Sequence, residues 1–186
     1  MKEVVVKCEY IWLDGGSTPQ LRSKTRVLNF KTEEEEWKLS LQDIPVWSFD
    51  GSSTNQASTK ASDCVLRPVF ACVDPNRPQG ILVLCDVLNQ DLTPHESNSR
   101  ARMIDAMISH GSSEPFFGFE QEYFLYDINT DRPLGWKEGL EPAPQGPYYC
   151  AVGGGLVEGR PISELHLTAC LSAGLSIVGV NAEVAL

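Results

Sequence analysis

Glu120 and Glu122 stand two residues apart inside Phe117 to Tyr126, which reads Phe-Gly-Phe-Glu-Gln-Glu-Tyr-Phe-Leu-Tyr. On a β-strand, residues two apart share a face, so this spacing sets two carboxylates side by side among apolar and aromatic neighbours. Burying two like charges is costly unless a cation neutralises them. A hard divalent ion such as Mg2+ or Mn2+, which prefers oxygen ligands, is the simplest partner. The same pattern suits a half-exposed strand with a solvated face, and the decapeptide alone leaves both readings open. A third carboxylate shifts the balance toward metal. Glu183 lies with Val178, Val180 and Val184 in a segment, 176–184, that reads as a second buried strand with no basic residue nearby in sequence. Three carboxylates, completed by water and a substrate phosphate, can fill a six-oxygen site.

A further stretch with chemical potential is Trp47-Ser48-Phe49-Asp50-Gly51-Ser52-Ser53-Thr54. Asp-Gly-Ser-Ser is turn chemistry, and on composition it suits a polar surface loop. Trp47 and Phe49 complicate that reading, because flanking aromatic residues anchor a loop in place.

The elements that must carry these residues divide near Thr93. Val4 to Leu13 is a β-branched and aromatic run, Asp14-Gly15-Gly16 supplies a turn, and Leu21 to Phe30 returns, which predicts a hairpin. Arg22, Lys24 and Arg26 share one face of the return strand, a pattern typical of a solvated or ion-paired surface. Glu33 to Glu36 read as an exposed loop or helix start. Strands follow at Asp63 to Val73 and Ile81 to Val87, separated by the turn-rich 74–78. Beyond Thr93 the pattern alternates helix and strand. Thr93 to Glu96 resembles a capping box, with Ser97 as an alternative N-cap, and Met103, Ile104, Met107 and Ile108 form an apolar stripe ending at Gly111. Pro161 opens a second helix whose face carries Ile162, Leu165, Ala169, Cys170 and Ala173, and Gly174 closes it.

Composition sets mild bounds. A chain of 186 residues with 42% hydrophobic content is long enough to bury a core. No apolar run approaches the ~20 residues of a membrane span, and the N-terminus lacks a signal-peptide pattern, so a soluble, cytoplasmic protein is expected. The six scattered cysteines suit reduced thiols better than a disulfide frame or zinc site. A net charge of −10 opposes nucleic acid or anionic membrane as partner and leaves small molecules or protein subunits.

Five motifs, in order, carry a family resemblance: Tyr10 to Gly15 (Tyr-Ile-Trp-Leu-Asp-Gly), Trp47 to Thr54, Phe117 to Tyr123, Pro144 to Cys150 (Pro-Gln-Gly-Pro-Tyr-Tyr-Cys) and Asn181 to Val184 (Asn-Ala-Glu-Val). Together they resemble glutamine synthetase of the type II, eukaryotic-like group, and cover the amino-terminal half of such an enzyme. The resemblance implies an α+β fold: a β-grasp-like domain over 1–93, then over 94–186 the first part of a catalytic domain, truncated, whose curved antiparallel sheet surrounds metals. It implies ATP- and Mg/Mn-dependent ligation of ammonia to L-glutamate through γ-glutamyl phosphate, in which divalent metals bridge clustered negative charge.

By the same resemblance Glu120 would hold the metal shared with the ATP phosphates, and Glu122 and Glu183 the metal nearer glutamate. Asp50 would bind ammonium and remove its proton. Asp63 resembles a further acidic position of that loop, with a structural role as the alternative, and Tyr148 and Tyr149 would line the substrate cavity. In such enzymes the first domain of one subunit closes its neighbour's active site, so a homo-oligomeric ring is expected, with Asp50 at an interface. Gly153-Gly154-Gly155 departs from the family pattern, and no Lys-Ser or Lys-Thr follows to make it a phosphate cradle. The remaining metal ligands, the substrate-gripping arginines and much of the nucleotide pocket belong to the other half of such enzymes, so the chain alone is expected to be inactive. Half a catalytic barrel would also leave sheet edges and apolar helix faces uncovered. The alternative is a non-catalytic relative serving as a structural or interaction module.

Overall fold

A computed structural model gives the fold, with residues 2–32, 40–136, 139 and 146–184 described. The acidic run Glu33 to Glu36 lies outside them. Two compact units divide between Pro115 and Phe116, which counts the helix after Thr93 with the first.

The first unit is built on alternation. Strand β1 (Lys2–Leu13) turns through 14–20 into β2 (Leu21–Thr32), paired antiparallel from Lys2 opposite Thr32 to Leu13 opposite Leu21. Short β3 (Trp47–Asp50) pairs antiparallel with β4 (Asp63–Val73), and β4 with β5 (Gly80–Leu88). Parallel pairing of β1 with β5 closes a five-stranded mixed sheet in the order β2-β1-β5-β4-β3. Period-two patterning puts Val6, Cys8, Tyr10 and Trp12 of β1, Cys64 and Leu66 of β4, and Ile81, Val83, Cys85 and Val87 of β5 into one core, covered by Ile44 and Phe49. Each fully buried side chain of Val or Leu size stabilises by roughly 1.5–3 kcal/mol, so this face carries the unit. All six cysteines are free thiols.

Helix α1 spans Ser99–His110, and its N-cap is Asn98, whose side chain accepts from Ala101 N at 3.0 Å; neither Thr93 nor Ser97 holds that place. Ser97 is engaged elsewhere by His95, and Thr93 bonds Asp91 and Asn89. The end at Gly111 is as expected. Its apolar stripe is largely open to solvent, with Ile108 77% exposed.

The second unit corrects two expectations. Residues 117–125 form no strand, the nearest being the two-residue β6 (Tyr126–Asp127) paired with β7 (Arg132–Pro133), and Glu120 and Glu122 are exposed. The segment 176–184 is likewise without regular structure, Glu183 is exposed and Val178 fully so. A strand is a pairing state, and among the described residues neither segment has a ladder partner. Apolar composition without a partner therefore yields exposed chain, not buried strand. Helix α2 (Arg160–Ser172) forms as read, with Pro161 in its first turn and Gly174 beyond its end at φ +83°.

Candidate functional site

Asp50 ends β3 directly opposite Asp63 on β4, at the edge of the sheet. The strand stops there because Gly51 to Thr54 turn as a 3-10 helix, with Asp50 as N-cap: its Oδ1 accepts from Ser52 N at 2.9 Å and Ser52 Oγ at 2.6 Å. The stretch read as a loop is thus half strand, half capped turn. The hydrogen bonds from Ser52, with a lesser one from Ser62, hold the exposed Asp50 carboxyl below the usual range, so it stays charged. A carboxylate so engaged is a weaker base but a good attractor of cations.

The turn is seated by aromatic and backbone contacts. Phe49 packs on Trp12 with ring centroids 4.8 Å apart, and Trp47 meets Tyr10 edge-on at 5.3 Å. Lys24 sits over the Trp47 ring and donates to Ser48 O, with Arg26 beside it, so two members of the basic face serve the Trp47 strand. The third, Arg22, pairs at 2.9 Å with buried Asp14, whose carboxyl is lowered first by the Gln20 and Gly16 amides. Gly15 N donates to Thr54 O at 2.9 Å, and a Cβ on Gly15 would lie 2.2 Å from Asn55 O, so this close approach needs glycine. The motifs Tyr10 to Gly15 and Trp47 to Thr54 thus form one structure.

Two residues of this site escaped sequence reasoning. Gln56 and His95 are both buried, and His95 Nε2 meets Gln56 O at 2.7 Å. Polar side chains in turn-rich segments read as surface, and nothing local announces a contact across that span.

The second unit places the glutamates differently. Residues 146–150 lie along 182–184 through Gly146 N to Val184 O at 2.9 Å and Cys150 N to Ala182 O at 3.0 Å. Tyr149 there has its phenol pushed up, first by Cys150, then by Glu183, and less by Glu120. Glu120 and Glu183, distant in sequence, thus both act on one phenol. Asn181 Nδ2 donates to Glu183 Oε1 at 3.0 Å, while Gln121 Nε2 bonds the Glu122 carbonyl. Among the described residues no three His, Cys, Asp or Glu side chains come together as a metal-holding group. The donor chemistry, carboxylate oxygens only, matches a hard divalent cation.

The β-grasp domain of glutamine synthetases matches residues 4–90. Over 180 residues, 96% of this chain, it is 51% identical to a glutamine synthetase of Streptomyces viridochromogenes, covering 50% of that protein. A glutamine synthetase of Frankia alni is 49% identical over 180 residues, 96% of this chain and 47% of the relative. That of the fungus Tuber borchii is 47% identical over 180 residues, 96% of this chain and 48% of the relative, consistent with a type II likeness. The chain spans about half the length of the curated relatives it matches.

Proposed function

The chain belongs to the glutamine synthetase family, and from that premise we propose that it forms part of a glutamate–ammonia ligase. The reaction joins ammonium to L-glutamate at the expense of ATP, by way of γ-glutamyl phosphate. The observation that carries this reading is the Asp50 turn: an exposed carboxylate held charged by Ser52 at the sheet edge and seated by the Trp12–Phe49 and Tyr10–Trp47 contacts.

Glu120, Glu122 and Glu183 would hold Mg2+ or Mn2+, which when bound neutralises charge on the ATP phosphates and the acceptor carboxylate. Asp50, kept charged by Ser52, attracts ammonium and accepts its proton as the amine attacks the acyl phosphate, phosphate leaving as the C–N bond forms. Its lowered pKa favours the attraction over the proton transfer. The remaining ligands would come from sequence like the half of its relatives that this chain does not match, and the Asp50 turn completes a neighbouring subunit's site in a homo-oligomeric ring within the cytoplasm. The isolated chain is then inactive.

A polypeptide extending this chain to the length of its relatives should form glutamine from glutamate, ammonium and ATP. Asp50→Asn should lower kcat by about 10²-fold or more. An extended protein that assembles but makes no glutamine would overturn the ligase reading. It would favour instead a structural or interaction module, which the lack of a closed three-ligand group among the described residues also fits.

A further inference from the structure

We propose that His95 is a positioning residue for Asp50: neutral, it locks the 50–57 turn through Gln56, and a proton on its Nδ1 releases that lock. Its meaning for ammonium capture rests on the ligase reading, whereas the lock is a property of the first unit alone.

The two neighbours of the ring settle its tautomer. Nε2 lies 2.7 Å from Gln56 O, and a carbonyl oxygen only accepts, so Nε2 carries hydrogen. Ser97 N donates to Nδ1 at 3.1 Å, and an amide N–H only donates, so Nδ1 is bare. The Ser97 hydroxyl, 2.9 Å from Nδ1, accepts from Gln56 Nε2–H at 2.8 Å and donates its own O–H to the ring nitrogen. There is room for one proton, not two.

Gln56 converts this constraint into loop geometry. Its Nε2 also donates to Leu13 O at 3.0 Å, its Oε1 accepts from Thr54 Oγ1 at 2.8 Å, and its N–H donates to Gly51 O at 2.8 Å. At 4% exposure, every polar group of Gln56 is engaged, and Gly51 directly follows Asp50. His95 is itself tied to the end of β5, with its N–H donating to Val87 O at 3.1 Å, while Asn98 Nδ2 donates to the same carbonyl. The path from β5 to Asp50 therefore runs through His95, Gln56 and Gly51.

A proton on Nδ1 sets two N–H groups against each other. The Ser97 hydroxyl can rotate to accept it, but the Ser97 amide cannot, so the 95–97 segment must shift and Gln56 loses its hold. A cavity of about 350 Å³ reaches His95 and Ser97, which gives the ring solvent access without unfolding. The charged groups around it are Asp14, already paired with Arg22, Glu96 and Arg102, and the Cys64 thiol shares the Gln56 carbonyl.

On the 186-residue chain, nitrogen NMR of the neutral His95 ring should show Nε2–H with a bare Nδ1. Amide hydrogen exchange at Gly15, Gln56 and Ala57, corrected for intrinsic rates, reads the lock. Compared at about pH 8 and about pH 5, these amides should lose at least about tenfold more protection in the wild type than in His95→Gln. Glutamine can donate to the Gln56 carbonyl but does not titrate. An Nδ1–H tautomer, or equal acid response in the two proteins, overturns the lock, and the wild-type tautomer decides alone should the variant fail to fold. Neither readout uses ligase activity, so a failed lock and a failed ligase reading are told apart.

Discussion

The two compact units carry motifs of equal clarity and bury them unequally. Residues 2–115 close one sheet face over Val6, Tyr10, Leu66 and Val83, whereas no described residue of the second unit is buried, and Phe119 and Ile128 are each more than 90% exposed. The first unit finds all its strand partners within itself. Among its described residues the second has apolar sequence and a single two-residue ladder, β6 with β7, and Glu120, Glu122 and Glu183 are exposed. Burial, and with it the energetic case for a metal, depends on partners and not on composition.

The sharpest way to break this contrast is truncation on each side of it. Leu66→Ala, at a fully buried position, should cost about 2–5 kcal/mol in denaturant unfolding, while Phe119→Ala should stay within about 0.5 kcal/mol. Equal losses would mean that the second unit has a core. A smaller difference is expected at glycines. Gly15→Ala meets the Asn55 carbonyl and should cost about 1–3 kcal/mol, whereas Gly118→Ala meets nothing within 4 Å and should be neutral or stabilising by about 0.4–1 kcal/mol. A costly Gly118→Ala would reveal packing around the glutamate segment.

The smallest effect sharpens the view of the second unit. Tyrosinate absorbance titration should show the Tyr149 pKa falling most in Cys150→Ser, less in Glu183→Gln and least in Glu120→Gln. Because folding raises this phenol's pKa, its contribution is present below the ordinary value of 10.0 and is lost as the pH rises through the folded value. An unmoved Tyr149 in both glutamate variants would remove the link between Glu120 and Glu183.

Much of the first unit is legible in the chain. Val4 to Leu13, Leu21 to Phe30, Asp63 to Val73 and Ile81 to Val87 alternate, and each lies within a strand of the sheet with ends that differ by a few residues at most. Pro161 and Gly174 bracket α2 because their backbone constraints are local. The cap of α1 was misplaced, since Thr93, Ser97 and Asn98 are all competent caps and only the contacts of Ser97 with His95 and Gln56 leave Asn98 for the task. Asp50 was visible as a candidate through its aromatic flanks, but Gln56 and His95 were not. Their partners lie about forty residues away, beyond the reach of any periodicity.

By itself the sequence determined the alternating strands, the helix stops, the ordered motifs of the family and the identity of every carboxylate that could meet a cation. These follow from side-chain chemistry and backbone preference, which act within a few residues. Tertiary structure alone decided that Tyr10 to Gly15 seats the Asp50 turn, that His95 meets Gln56, and that the glutamate segments remain exposed. Each of these depends on hydrogen bonds or burial between remote segments, and such terms exist only once a partner is in place.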